Sequence, residues 1–198
     1  MSSPLELAAV ITGALCVWLL VKQNLWTWPI GIVSCGLYVF VFYGSKLYGD
    51  MALQFFFIAI SLYGWWNWRR GGAGHSLLKV ARTGWRFALA LLLATGAFTW
   101  IVAATLQKHT DSNTPFLDAL TTALSVTAQY MQTRKLLETW YVWITADVIY
   151  LGLYIYKHLY ATSVLYAVFV AMCVAGLLEW RRSYVADHAG TSVESARA

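Results

Sequence analysis

The sequence predicts an all-α integral membrane protein of seven transmembrane helices, built as two parallel three-helix repeats joined by a linker helix (3+1+3). Three observations predict this fold: an apolar composition, seven apolar runs of membrane-spanning length, and a self-similarity at a shift of 112 residues. Of the 198 residues, 60% are hydrophobic and 12% are charged, and the mean hydropathy is +0.58. Soluble domains are nearer half apolar and a quarter charged, so the excess indicates an apolar solvent.

Seven apolar runs have about the length that a membrane crossing requires. A bilayer core about 30 Å thick needs roughly 20 apolar residues in a helix. One long polar connection, 69–85, follows the third run, and the other connections are short. The predicted spans are 5–21, 26–44, 51–68, 86–106, 115–133, 139–156 and 160–180.

The basic residues predict the orientation. With the N-terminus outside, eleven Lys and Arg residues lie in cytoplasmic segments and three in outer loops. Because cytoplasmic loops carry the excess of Lys and Arg, we expect the N-terminus outside and the C-terminus in the cytoplasm. The net charge of +5 then belongs to loops and indicates no nucleic-acid partner. The cytoplasmic set is Lys22, Arg69, Arg70, Lys79, Arg82, Arg86, Arg134, Lys135, Arg181, Arg182 and Arg197, and the outer set is Lys46, Lys108 and Lys157.

The self-similarity contains no gap. Trp68-Arg69-Arg70 aligns with Trp180-Arg181-Arg182, and Leu25-Trp26-Thr27-Trp28 aligns with Leu137-Glu138-Thr139-Trp140. Because the shift spans four helices, both units have the same orientation, which is one of the two repeat types that transporters build around a central site. Further matches join Leu47-Tyr48 to Leu159-Tyr160, and Tyr38, Leu53, Phe57 and Gly64 to Tyr150, Leu165, Phe169 and Gly176.

The repeat predicts four segments: a first three-helix bundle (1–70), a cytoplasmic loop with the linker helix (71–113), a second three-helix bundle (114–182) and a tail (183–198). The tail is polar and rich in small residues, so we expect it to be disordered in the cytoplasm. The first apolar run has no positive charge before it, which indicates a retained helix and not a cleaved signal.

The sixth span carries the most informative pattern. Trp140, Trp143, Asp147, Tyr150 and Tyr154 are spaced by 3, 4, 3 and 4 residues and share one helix face. An ionisable group near mid-span costs at least ~2.5–3.5 kcal/mol unless it faces the bundle interior or a water-filled cavity. This face is therefore predicted to point inward, where the carboxylate either borders a substrate path or bonds a neighbouring helix.

The repeat maps this stripe onto the second span. The matched residues are Trp28, Gly31, Cys35, Tyr38 and Phe42, so a thiol stands where the sixth span has its carboxylate. Two aromatic faces with a carboxylate on one side only suit an asymmetric solute.

Amides and tryptophans complete the candidate set. Gln54 and Gln129 lie well inside their spans, where a buried amide needs a partner, either a substrate or a neighbouring helix. Trp143 is the better site candidate among the tryptophans. An aromatic lining beside a carboxylate favours a flat ring that is cationic or electron-poor. Trp140 and Trp28 are candidates too, although the interfacial aromatic belt competes for them. The residues assigned to that belt are Trp26, Trp66, Trp85 and Trp180.

Several function classes are excluded or disfavoured. The chain has no G-x-x-x-x-G-K-[ST] phosphate loop, and the seventh span has no Lys for a retinal Schiff base. The four His residues have no metal-ligand spacing, and the three Cys residues lie in apolar runs without a disulfide or metal pattern. We therefore expect no enzyme, no metal and no cofactor.

Motifs along residues 5–182 resemble the PnuC family of vitamin transporters, in order on every matching helix. The second half matches through Ala128-Gln129, Trp140-x-x-Trp143, Asp147-Val148-Ile149-Tyr150 and Tyr154-Ile155-Tyr156-Lys157. The first half matches through Trp28-Pro29-Ile30-Gly31, Tyr48-Gly49-Asp50-Met51, Gln54 and Tyr63-Gly64-Trp65.

The resemblance implies a SWEET-like fold, a homotrimer in the bacterial inner membrane, and facilitated diffusion of nicotinamide riboside, which a cytoplasmic kinase traps by phosphorylation. In this reading Trp143 and Trp140 stack on the pyridinium ring, Gln129 or Gln54 bonds the amide or sugar hydroxyls, and Asp147 balances the charge. Tyr150, Trp28 and Tyr38 complete the predicted site. Alternatives are a carrier of thiamine or another nucleoside-like vitamin, and a non-transporting membrane scaffold or receptor.

Overall fold

The computed structural model describes residues 4–44, 46, 48–109, 114–156, 158 and 160–195. Lys157 and Arg197, which enter the orientation argument, lie outside this set, as do residues 110–113 at the end of the predicted linker segment. The described residues form seven α-helices and a short 3-10 helix, Ala73–His75. The helices are α1 (Pro4–Val21), α2 (Thr27–Gly44), α3 (Tyr48–Arg70), α4 (Trp85–His109), α5 (Pro115–Thr133), α6 (Thr139–Tyr156) and α7 (Tyr160–Ser195).

The seven described helices lie where the sequence predicts helical spans. α5 and α6 begin and end at the predicted residues, and the other starts and the ends of α1 to α4 differ by at most three residues. By length and composition, α2, α4 and α7 can each cross a membrane, and α1 contains the shorter apolar helix Leu7–Val21. Large apolar side chains are exposed on these helices, such as Trp100 at 75% and Phe40 at 67%. Apolar surface of this extent needs lipid around it, so the protein is an all-α membrane protein.

The backbone repeats at matched positions of the two halves. α2 and α6 contain 18 residues each, and their bounds differ by the same 112 residues as the sequence repeat. The turn before each helix contains a left-handed residue, Gln23 (φ 54°) or Lys135 (φ 53°). The turn after each helix also contains one, Lys46 (φ 59°) or His158 (φ 57°). The self-similarity therefore extends from the side chains to the turns.

The chain divides into two compact units. Unit 1 contains Met1–Val80, Gln132–Lys135 and Leu178–Ala198, and unit 2 contains Ala81–Met131 and Leu136–Leu177. Unit 1 thus holds α1, α2 and α3 with the last residues of α5 and the last part of α7, whereas unit 2 holds α4, α6, the rest of α5 and the first part of α7. The division into two sequential bundles stays a prediction.

The segment 183–195, which composition predicts to be disordered, is helical because α7 continues through it. Gln23 Nε2 donates a hydrogen bond to Ser183 Oγ at 2.7 Å. Lys79 and Asp187 form an ion pair at 3.1 Å. These partners lie far away in the chain, which is why local composition did not reveal the extension.

The end of the polar connection before α4 is fixed onto the start of α6. Leu137 N donates to Ala81 O at 2.9 Å, which pairs the two segments for one residue. The Glu138 carboxylate accepts the backbone N–H and the hydroxyl of Thr83, at 2.8 and 2.7 Å. Arg82 Nε adds an ion pair with the same carboxylate at 3.3 Å. Glu138 therefore holds the residues just before α4 against the start of α6.

Candidate functional site

One face of α6 points into the protein, as its residue spacing predicts. Trp140 is fully buried and Asp147 is 7% exposed. On the opposite face, Tyr141, Val148 and Ile155 are exposed to about half of their surface. The burial difference confirms that the stripe faces inward.

Asp147 is a buried carboxylate with a weak partner. The Cys173 thiol on α7 donates to Asp147 Oδ2 at 3.5 Å. Asp147 forms no ion pair with any residue that the structure describes. A thiol is a weak hydrogen-bond donor, and a buried carboxylate needs stronger compensation than that. This position is therefore suited to a cation that arrives from outside the chain.

A cluster of aromatic rings continues along α6 and α7 from this carboxylate. Tyr150 and Tyr154 stack at a centroid distance of 6.0 Å with an interplanar angle of 17°. Tyr166 lies 5.0 Å from the first ring and 5.2 Å from the second. Phe169 meets Tyr166 edge-on at 5.8 Å. One end of α6 and α7 thus presents several aromatic faces, with Asp147 about one helical turn away.

Two members of this group, Tyr166 and Cys173, were not among the predicted site residues. The sequence contains a signal for both, because α7 repeats the 3, 4, 3, 4 spacing that identified the stripe of α6. The residues of this second stripe are Tyr166, Phe169, Cys173, Gly176 and Trp180.

Besides Tyr150, four predicted site residues are half-buried, namely Trp143 and Gln129 in unit 2 and Gln54 and Tyr38 in unit 1. Tyr38 stacks on Phe42 at 5.6 Å with an angle of 21°, the same arrangement as the matched tyrosine pair of α6. The role of these four as substrate contacts stays a prediction.

The two remaining predicted residues, Trp28 and Trp140, are packed against glycines. They are 2% and 0% exposed. A Cβ added at Gly64 would clash with the six-membered ring of Trp28, and one added at Gly176 would clash with that of Trp140. Trp28 also meets Trp68 edge-on at 5.3 Å, and its Nε1 has no hydrogen-bond partner among the described residues. In this conformation both rings fill space between helices.

The assignment of Trp180 to the membrane interface is wrong. The side chain is fully buried, and its Nε1 donates to the Leu20 carbonyl at 3.1 Å. The spacing rule places it on the inner stripe of α7, and its position near the end of a span misled the interpretation. Trp26, Trp66 and Trp85, assigned to the same belt, are 58–73% exposed, which agrees with that assignment.

Unit 1 also has a surface pocket of about 250 Å³, lined by Leu25, Trp26, Pro29, Trp65 and Arg69. None of the eight predicted site residues lines it. In the described part of the chain, no group of three or more His, Cys, Asp or Glu side chains is placed to hold a metal ion.

The chain matches a known family over nearly its whole length. The family model described as nicotinamide mononucleotide transporter matches residues 3–182. A solved structure, described as the crystal structure of the vitamin B3 transporter PnuC, superimposes with a TM-score of 0.70 at 25% sequence identity. The superposition covers 88% of this chain and 79% of that one.

Two relatives of similar identity carry different substrate names. The riboflavin/roseoflavin transporter RibM of Streptomyces davaonensis is 28% identical over 178 residues, which cover 88% of this chain and 83% of the relative. The nicotinamide riboside transporter PnuC of Escherichia coli K12 is 26% identical over 209 residues, which cover 90% of this chain and 85% of the relative. At these identities the substrate does not follow from similarity alone.

Proposed function

The chain belongs to the nicotinamide mononucleotide transporter family, and from this membership we propose that it carries nicotinamide riboside across the bacterial inner membrane by facilitated diffusion. Family membership supplies the premise that the protein is a membrane transporter of the vitamin-transporter class and not an enzyme. The substrate and the mechanism are the proposal.

The buried Asp147 carboxylate without a described counter-cation supports a cationic substrate most directly. Nicotinamide riboside is a pyridinium cation with a carboxamide and a ribose. A carboxylate in an apolar region attracts such a cation, and aromatic faces stack on its ring with about 0.5–2 kcal/mol per contact. Tyr150 and Tyr154 provide aromatic faces close to the carboxylate.

The other predicted residues receive roles around this carboxylate. Trp143, helped by Trp140, stacks on the pyridinium ring, and Gln129 or Gln54 bonds the carboxamide or the ribose hydroxyls. Trp28 and Tyr38 provide aromatic contacts to the substrate from the first half. The full burial of Trp28 and Trp140 means that these two contact substrate only after a conformational change.

The transport mechanism follows from the proposed architecture. Two three-helix bundles, α1–α3 and α5–α7, joined by α4 in a SWEET-like 3+1+3 arrangement, alternate access to a central site. The matched bounds of α2 and α6 support this architecture. We place the N-terminus outside and the C-terminus in the cytoplasm. A homotrimer, and a cytoplasmic kinase that phosphorylates the imported riboside and so prevents its return, complete the proposal.

Thermal stabilisation of detergent-solubilised protein tests the substrate. A solute that binds only the folded state stabilises it by mass action and so raises the melting temperature. The gain in folding free energy is about 2.7 kcal/mol when the solute concentration is a hundred times the dissociation constant. We expect nicotinamide riboside to raise it and thiamine and deoxynucleosides to leave it unchanged. If no solute shifts the transition, the scaffold or receptor alternative replaces the proposal.

Riboflavin is the second candidate substrate, because the relative RibM is at least as similar to this chain as the PnuC of E. coli. Riboflavin is uncharged at neutral pH, so it can donate hydrogen bonds to a carboxylate but gains no charge–charge attraction from it. The same melting experiment therefore separates the two: stabilisation by riboflavin alone would reject the riboside.

Uptake into proteoliposomes tests the mechanism. We expect radiolabelled substrate to equilibrate down its own gradient without a proton or sodium gradient. Accumulation above the external concentration that disappears when a proton gradient is collapsed, at neutral pH on both sides, contradicts facilitated diffusion.

A further inference from the structure

Two indole–carbonyl hydrogen bonds lie at the arginine-rich end of the protein, the end at which α1, α3 and α5 stop. Trp68 Nε1 donates to the carbonyl of Gln132 at 2.9 Å, and Trp180 Nε1 donates to the carbonyl of Leu20 at 3.1 Å. All four residues belong to unit 1. We call the pair the indole latches. The basic residues that mark this end are Arg69, Arg70, Arg134, Arg181 and Arg182.

The indole latches are reciprocal. The repeat shift of 112 residues relates the donor Trp68 to Trp180 and the acceptor Leu20 to Gln132. Each latch therefore joins a residue of the first half to a residue of the second half, and each half contributes one donor and one acceptor. The repeat thus places the same kind of hydrogen bond twice at this end, once with its donor in each half.

Further polar contacts surround each latch. Next to Trp68, Asn67 Nδ2 donates to the carbonyl of Thr133 at 2.8 Å. Lys135 Nζ donates to the carbonyl of Leu78 at 2.8 Å and lies 4.7 Å from the centre of the Trp68 ring.

Next to Trp180, Gln23 Nε2 donates to Ser183 Oγ at 2.7 Å. The rings of Trp68 and Trp180 are 5.7 Å apart. Both latches therefore belong to one continuous set of contacts at this end.

The acceptors explain why these bonds can be exchanged. Each acceptor also accepts a backbone hydrogen bond from the turn after its helix, from Gln23 N to the Leu20 carbonyl and from Lys135 N to the Gln132 carbonyl, both at 2.9 Å. The carbonyl therefore keeps a partner when the indole leaves, and water can take the place of the indole. A buried N–H donor that is left without an acceptor, by contrast, costs the protein free energy. The indole latches thus favour the closed state of this end but still allow it to open.

We propose that Trp68 and Trp180 are gate residues that hold the arginine-rich end of the transport path closed and release it once in each transport cycle. The inference rests on the proposed function as a transporter, but it does not depend on the identity of the substrate.

Labelling of the native Cys173 tests the gate. This thiol is 5% exposed and lies seven residues before Trp180, about two turns deeper on the same face of α7. In a Cys16→Ser, Cys35→Ser background, a membrane-impermeant maleimide is added from the arginine-rich side and the rate of labelling is measured. Loss of one net hydrogen bond shifts the closed–open equilibrium about three- to tenfold. We expect Trp68→Phe and Trp180→Phe each to accelerate labelling by this factor, and the double variant to accelerate it further.

Trp66→Phe is the matched control, because Trp66 lies two residues from Trp68 on α3 and is 58% exposed. It should leave the labelling rate unchanged. Equal labelling of the double variant and the parent protein would falsify the gate. The melting temperature of every variant, with and without nicotinamide riboside, separates this result from a failure of the proposed function, since a gate can operate whichever solute binds.

A second experiment cross-links the arginine-rich end in its closed state instead of weakening its contacts. Gln23→Cys and Ser183→Cys, in a background without Cys16, Cys35 and Cys173, are bridged by a bifunctional methanethiosulfonate. We expect uptake into proteoliposomes to stop and to return when a reductant cleaves the bridge. Undiminished uptake by the bridged protein rejects the proposal even if the phenylalanine variants do not fold.

Discussion

The two halves of the protein share a frame and differ in the chemistry that the frame carries. In the first half, Cys35 on α2 and Ser61 on α3 stand at the positions that the 112-residue shift matches to Asp147 on α6 and Cys173 on α7. The glycine that receives a tryptophan ring is present in both halves, as are the left-handed turns before α2 and α6.

The difference shows where the repeat has to be preserved and where it can change. The ends of the helices make matched contacts in both halves, so packing and closure constrain them. From the middle of α6 and α7 to one of their ends lie a carboxylate and three tyrosines, where the first half has a thiol, Tyr38, Phe42 and Gln54. Binding chemistry is therefore expected to depend on the second half more than on the first.

Removal of the carboxylate is the strongest test of this asymmetry. Asp147→Asn keeps the shape and removes the charge, and truncating one partner of a buried charged contact costs about 2–5 kcal/mol. We expect calorimetric affinity for nicotinamide riboside to fall thirtyfold or more. Cys35→Ser, at the matched position of the first half, should leave affinity within twofold. Similar losses in both variants would mean that the halves contribute equally.

The helices and the inward face of α6 could be predicted from the sequence because apolar run length and residue spacing are local properties. The helical tail could not, since Gln23 and Lys79 reach it from more than a hundred residues away. The burial of Trp180 was missed because a tryptophan near a span end fits both the belt and a packed position. Tyr166 and Cys173 could have been predicted as site residues, because α7 has the same 3, 4, 3, 4 spacing as α6.

Truncation of Trp143 sharpens the comparison within α6. Stacking of a base on an aromatic side chain is worth about 1–3 kcal/mol, so Trp143→Ala should weaken riboside binding roughly ten- to a hundredfold. Trp143→Phe should retain part of the affinity, because a smaller aromatic face remains.

Tyr141→Ala is the control on the same helix, since Tyr141 is 54% exposed on the opposite face. Its affinity should equal that of the unmodified protein. If Trp143→Ala remains monodisperse and binds the riboside as tightly as the unmodified protein does, the α6 stripe serves packing and not binding.

Alanine at the two matched glycines tests whether the frame is equivalent in the two halves. A Cβ at Gly64 or at Gly176 clashes with a buried tryptophan ring, and overpacking of this kind costs about 1–3 kcal/mol. Both variants should lower the melting temperature by similar amounts. Gly36→Ala is the control, because a Cβ there meets nothing within 4 Å. Destabilisation by only one of the two shows that the frame has diverged.

The smallest effect concerns the left-handed turns, where Gln23 of the first half is matched by Lys135 of the second. Burial lowers the pKa of Lys135 to about 8 from 10.5, and the Asp187 carboxylate acts in the opposite direction. Between these two pH values the unfolded chain binds more protons at this site than the folded protein, so stability rises with pH, by less than ~1.4 kcal/mol per unit. Lys135→Gln makes the second turn resemble the first and removes this dependence. The melting temperature of the unmodified protein minus that of the variant should therefore increase from pH 8 to pH 9.5. A decrease would mean that the contact with Trp68 stabilises the charged ammonium more than burial disfavours it.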